Sequence, residues 1–327
     1  MTSQTRPGNM TLRRIWDQAG IALIPILMII VAAIEVPHFA SAGNVIYSLG
    51  LSLTTTGIVA CGMLFALASG DFDLSVGSVA AFAGMACAVL ISKGMSASEA
   101  ILLALLGSAL IGFVNGFIIA VCKINALIAT LASMQIVRGL AYLLNDGNSL
   151  GISNDHVAAL GNSMVLGLPM PIWVLAACLV VFGVLLHKTV FGRNTLAIGG
   201  NAEAARLAGL PTAKIKIMIF ALLSLLSGLA GIVSSAQQQL GDPKSMVGLE
   251  LRVISACVLG GVSLTGGIGA IYHVIVGMLI MGIVQNVMDL KSVPTFYQYL
   301  ISGSILLAAV LVDQWKQRRM QRVKVAG

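Results

Sequence analysis

Asp71 and Asp73 lie in the stretch Ala68-Ser69-Gly70-Asp71-Phe72-Asp73-Leu74-Ser75-Val76-Gly77, with an apolar run on each side. A carboxylate at bilayer depth costs several kcal/mol, so it pairs with another group or lines a cavity. Two readings fit. In one, Gly70 stops a helix and Asp73 caps the next by accepting backbone N–H groups. In the other, Asp71, Asp73 and Ser75 belong to a broken-helix element along a polar path, where carboxylates accept hydrogen bonds from hydroxylated solutes. A second polar set lies between 125 and 145. At 100° per residue, Thr130, Gln135, Arg138, Tyr142 and Asn145 share one face of about 140°. The Arg138 guanidinium stays charged and must meet water, a carboxylate or a polar ligand. Asp71 or Asp73 is its candidate partner by composition, which leaves a buried ion pair and a path lining both open.

A third set runs from Phe191 to Pro211. Asn201 suits an N-cap, Glu203 the first turn, Gly209 a C-terminal stop, and Pro211 follows it. Between them Ala202, Ala204, Ala205, Leu207 and Ala208 surround Arg206, making a small apolar helix within a basic loop. Such a helix either offers a partner surface or tucks under its own bundle. Ser48, Ser52, Thr55 and Thr56, and Gly112-x-x-x-Gly116 around Asn115, read first as helix–helix contacts. His273 reads as a satisfied core histidine. The five cysteines fall inside apolar runs at spacings that match no metal motif, and are expected to be small buried hydrophobes. No glycine-rich phosphate loop precedes Lys188-Thr189 or Lys291-Ser292, so ATP hydrolysis by this chain alone is not expected.

The elements that must position these residues follow from composition. Of 327 residues, 58% are hydrophobic and 9% charged, against roughly 25% charged in soluble domains. That excludes a soluble enzyme, and the apolar content excludes pure disorder. The expected fold class is all-α: a polytopic membrane bundle of about ten spans, with re-entrant or broken segments allowed. Apolar stretches lie near 20–36, 45–69, 74–92, 100–122, 125–144, 171–187, 215–239, 253–270, 271–288 and 295–312. This divides the chain into a cytoplasmic segment 1–19, one transmembrane domain 20–312 with a cytoplasmic loop 188–214, and a basic tail 313–327. Fourteen basic residues then fall on one side: three in the head, Lys123, five between 188 and 216, and five in the tail. Lys93, Lys244, Arg252 and Lys291 fall on the other, which places both termini in the cytoplasm. Arg6, Arg13 and Arg14 before an apolar run, with Ala40-Ser41-Ala42 after it, imitate a secretory signal, but the run is long enough for a retained first helix.

Over essentially its full length the sequence resembles the permease subunits of ribose/arabinose/galactose-type bacterial ABC sugar importers. The resemblance rests on Ser69-Gly70-Asp71-Phe72-Asp73-Leu74-Ser75-Val76, Ile124 to Leu131, Ile136 to Ala141, the loop Phe191 to Gly209, and Cys257 to Leu264. Phe72 between its aspartates, Lys123-Ile124-Asn125 and Ile15-Trp16-Asp17-Gln18 look most like the L-arabinose members. The resemblance implies an inner-membrane, multi-pass homodimer that imports a monosaccharide. Its implied partners are an ATPase subunit, which uses ATP-Mg, and a periplasmic sugar-binding protein; no cofactor, metal or nucleic acid is expected on this chain. It further implies that Asn201, Glu203, Ala204, Ala205, Arg206, Leu207 and Gly209 dock on the ATPase. Asp71, Asp73 and the polar face around Arg138 would then lie along or near the passage. Gln237-Gln238-Gln239 departs from the family pattern. The alternatives are another pentose or hexose (ribose, xylose, galactose) as cargo, or a secondary transporter with Asp71 or Asp73 as proton acceptor.

Overall fold

The computed structural model describes residues 23–325, with side chains through Val312 and at Gln314. The head with Arg6, Arg13 and Arg14 and the side chains of the basic tail lie outside the described residues. The first elements are α1 (Leu23–Glu35), α2 (Asn44–Ala68, whose first turns are π-helical), α3 (Val76–Ser92), α4 (Ala97–Ala120) and α5 (Ala126–Leu143). Next come β1 (Leu150–Gly151), α6 (Asp155–Asn162), the hairpin β2 (Met164–Val165) and β3 (Leu168–Pro169), then α7 (Met170–Lys188), α8 (Val190–Gly200) and α9 (Ala202–Leu207). The chain continues through α10 (Thr212–Gln238), β4 (Leu240–Gly241), α11 (Leu249–Gly260), α12 (Ile271–Leu290) and α13 (Thr295–Val325).

Each of the ten apolar stretches contains one helix, and among the described residues seven of these are long and apolar enough to cross a membrane. The eighth stretch corrects the expectation of a span over 253–270. α11 begins earlier, after Gly248 at φ 78°, and stops at Gly260, with Gly261 at φ 109°. Its 12 residues rise about 18 Å, short of a hydrocarbon core of roughly 30 Å. Gly266 and Gly267 keep the following segment in left-handed turns.

α2 and α10 form the interior. From Gly57 to Ala68 every residue of α2 is buried. α4 lies close against α10 because Gly112 and Gly116 carry no Cβ; one on Gly116 would sit 2.7 Å from the Ile217 Cα. The outer helices turn apolar side chains outward, among them Leu106, Leu110 and Phe113 of α4, Val180 of α7 and Leu311 of α13. Apolar surface on this scale suits lipid or another protein. His273 is buried, and its Nδ1 accepts from the Ala270 N–H at 3.1 Å. Cys61, Cys87, Cys178 and Cys257 are buried, whereas Cys122 is exposed, a correction to the expected burial of all five. Cys122 lies past the last turn of α4, where the chain reverses toward α5.

The bundle has two distinct ends. At one, α8 and α9 meet the end of α2, the start of α10 and the loop 261–270. At the other, β1 pairs antiparallel with β4, and α6 packs its Gly161 on the backbone of Ala236 and Gln237.

Candidate functional site

The α9 end carries a helix built for display. The Asn201 side chain accepts from the Ala204 N–H at 2.9 Å, and Gly209 at φ 83° turns the chain away. Ala205 is the buried contact of α9, while Leu207 stands 76% exposed. Arg206 Nη2 donates to Glu203 Oε1 at 2.7 Å, and both side chains face solvent. This hydrogen bond lowers the Glu203 carboxyl from its usual value and raises the Arg206 guanidinium. Glu203 and Arg206 also border an open groove of about 460 Å³ lined by Asp71, Lys123, Asn125 and Lys216.

α9 is anchored through α8, a helix that sequence patterning did not single out. Thr189 caps α8 by accepting from the Gly192 N–H at 3.3 Å, and Ile198 is buried. Gly199 rests directly on the Ala68 carbonyl at the end of α2, where a Cβ would overlap it. The Gly267 N–H donates to that same carbonyl at 2.9 Å, and Gly266 abuts both Gly199 and Gly70. The two glycine-rich loops, 70–77 and 261–267, therefore meet at α8. Asp71 accepts from Lys216 Nζ, fastening the loop after α2 to the start of α10.

Asp73 and Ser75 occupy a different environment from Asp71. Asp73 is fully buried, and its Oδ1 accepts from the Ser75 N–H at 2.7 Å and the Ser75 hydroxyl at 2.6 Å. Asn115 of α4 donates to Ser75 Oγ at 3.2 Å, binding the entry of α3 to α4. Gly70 at φ 84° ends the preceding helix.

The polar face of α5 does not meet the aspartates. Arg138 Nη1 donates to the carbonyls of Pro243 and Ser245, each at 2.7 Å, fixing the segment between β4 and α11 to α5. Two well-placed carbonyls satisfy a guanidinium as a carboxylate would, which corrects the aspartate partner expected from composition. Thr130 is buried and donates to the Ala126 carbonyl at 2.8 Å. Gln135 and Tyr142 are exposed on the flank. The Ser and Thr stripe of α2 divides: Ser48 accepts from Asn286 at 3.1 Å, while Ser52 and Thr56 line a small cavity with Arg252.

A bundle of apolar helices with this arrangement is a multi-pass membrane protein. The chain belongs to the family described as branched-chain amino acid transport system / permease component, whose model matches residues 45–310. It is accordingly a transport permease and not an enzyme. It is 54% identical over 310 residues to the L-arabinose transport system permease protein AraH of Escherichia coli strain K12, covering 95% of this chain and 94% of that one. It is 48% identical over 309 residues to the L-arabinose ABC transporter permease protein AraH of Azospirillum brasilense, covering 94% and 91%. The ribose import permease protein RbsC of Escherichia coli strain K12 is 35% identical over 323 residues, covering 97% and 100%. The resemblance carried by the motifs is borne out. No solved structure matches the chain.

Proposed function

We propose that this chain is the membrane-spanning subunit of an ATP-driven importer that carries L-arabinose across the inner membrane. It works as two copies with a separate ATPase subunit and a periplasmic sugar-binding protein. The observation that carries the reading is the 54% identity, over 95% of the chain, to a permease for that sugar, against 35% to a ribose permease. The α9 end faces the cytoplasm, as the side with the basic residues should. ATP-Mg is bound and hydrolysed on the partner; this chain supplies the passage and the docking helix.

Leu207 and its neighbours on α9 form the apolar contact for the ATPase, with Glu203 and Arg206 at the rim. Movement of α9 reaches the membrane interior through α8, because Gly199 touches the end of α2 and the loop ahead of α12 at once. ATP can shift the inward–outward equilibrium only by the ATPase gripping α9 differently in the two states. Asp71 borders the inner mouth of the passage, and Gln135, Arg138 and Tyr142 flank it along α5. Asp73, Ser75 and Thr130 stiffen the wall.

The test is sugar selectivity in proteoliposomes holding this chain, its ATPase and its binding protein. ATP-dependent uptake of L-arabinose should exceed that of ribose, xylose and galactose. Preferred uptake of one of those sugars would reassign the cargo.

A further inference from the structure

Away from the α9 end, α11, α12 and α13 surround a cavity of about 270 Å³. Arg252, Ser255, Gln285, Gln298, Tyr299 and Ser302 supply its polar wall. Arg252 and Gln285 also line an adjoining space of about 40 Å³, which Ser52 and Thr56 of α2 complete. Polar side chains of α13, α11, α12 and α2 thus line two adjoining spaces, interleaved with the apolar Val247, Leu251, Leu306, Met278 and Met281.

Arg252 is the unusual member. Among the described residues its guanidinium makes no hydrogen bond or ion pair, whereas Arg138 places one nitrogen on two carbonyls. A guanidinium offers five donors, and leaving them unused beside an apolar core is costly unless water or a ligand takes them. The amides opposite are held in place. Asp289 Oδ1 accepts from Gln285 Nε2 at 3.0 Å and from Gln298 Nε2 at 3.1 Å, and Gln285 Nε2 also donates to Gln298 Oε1 at 2.8 Å. Both amino groups are therefore occupied, and the Gln285 carbonyl oxygen remains as an acceptor. Ser255 donates to the Leu251 carbonyl at 2.6 Å and keeps its lone pairs.

The ligand class follows from charge and size. The Asp289 carboxylate, held by both glutamine amides of the wall, brings a negative charge to this side of the cavity, which disfavours an anion. A hydroxyl both donates and accepts, so a neutral polyol answers Arg252 and Gln285 together, while the Tyr299 ring can cover the C–H face of a sugar. Ligand cavities run from roughly 300 Å³ upward, and a space of about 270 Å³ lies at the small end of that range, the size of a monosaccharide. We infer that this cavity is a monosaccharide subsite on the transport route, with Arg252 as its principal donor and Gln285 as its acceptor. The inference rests on the permease reading and adds a place within the chain where selectivity is exercised.

The test uses the assembled transporter with its ATPase. L-arabinose is the probe, followed by saturation-transfer NMR in detergent and by the half-saturation of uptake in proteoliposomes. Arg252→Gln and, independently, Gln285→Leu should weaken sugar binding about tenfold or more, the loss expected for a charge-assisted or fully buried hydrogen bond. Arg252→Lys should recover part of it, and co-purification with the ATPase should not change. Binding and half-saturation equal to wild type in both variants would overturn the subsite while leaving the permease reading intact. Wild-type transporter that moves none of the sugars would remove the permease reading itself. Loss of the two-copy assembly in Arg252→Gln, seen by light scattering, would make the cavity a joint between copies and also overturn the subsite.

Discussion

Asp73 carries two hydrogen bonds on one carboxylate oxygen and none on the other, at a position with no exposure. Removing the side chain strands the Ser75 N–H in the interior, so Asp73→Ala should lower stability by about 1–3 kcal/mol. Asp73→Asn keeps the accepting oxygen and removes a buried charge, and should retain both thermal stability in detergent and sugar uptake. Loss of uptake in a folded Asn variant would instead make Asp73 a proton carrier. The sequence made both roles visible, because Gly70 marks a helix stop and Asp73 stands just ahead of the next apolar run; the turn to Ser75 came from the structure. The partner of Arg138 was not readable, since a guanidinium can be satisfied by carbonyls from a segment over a hundred residues away. Arg252 read only as a marker of membrane side; its lack of a partner is a property of tertiary packing.

At the scale of elements, the roles proposed for α9 and α8 can be tested separately. Leu207 is exposed, so Leu207→Asp should leave the fold unchanged while co-purification with the ATPase falls about tenfold or more, as for a central contact residue. Undiminished assembly and uptake would remove the docking role. Gly199→Val drives a side chain into the Ala68 carbonyl, an overpacking that costs about 1–3 kcal/mol. That variant should still assemble and hydrolyse ATP but lose uptake, read as the ratio of sugar moved to ATP consumed. The seven helices long enough to cross a membrane were legible because lipid demands long apolar runs, and α9 because its caps stand at both ends. α8 was not, since Gly192, Asn194, Thr195, Gly199 and Gly200 are poor helix formers and packing holds them there. The early stop of α11 was legible in part: Gly260, Gly261, Ser263, Gly266 and Gly267 interrupt the apolar run, but the apolar segment that follows leaves a spanning helix equally open.

For the whole molecule, the apolar outer helices and the two dissimilar ends define a direction across the bilayer. Cys122 is the exposed cysteine, and it lies at the α9 end beside Lys123. In intact right-side-out vesicles an impermeant maleimide should leave Cys122 unlabelled, and permeabilisation should expose it; labelling before permeabilisation would invert the proposed orientation. The central claim, that ATP hydrolysed on a partner drives sugar through this chain, is tested most directly by energy dependence of uptake. Proteoliposomes with the binding protein and ATPase should accumulate L-arabinose only with hydrolysable ATP, and a protonophore should leave the rate unchanged. Uptake that persists without ATP and collapses with the protonophore would contradict it.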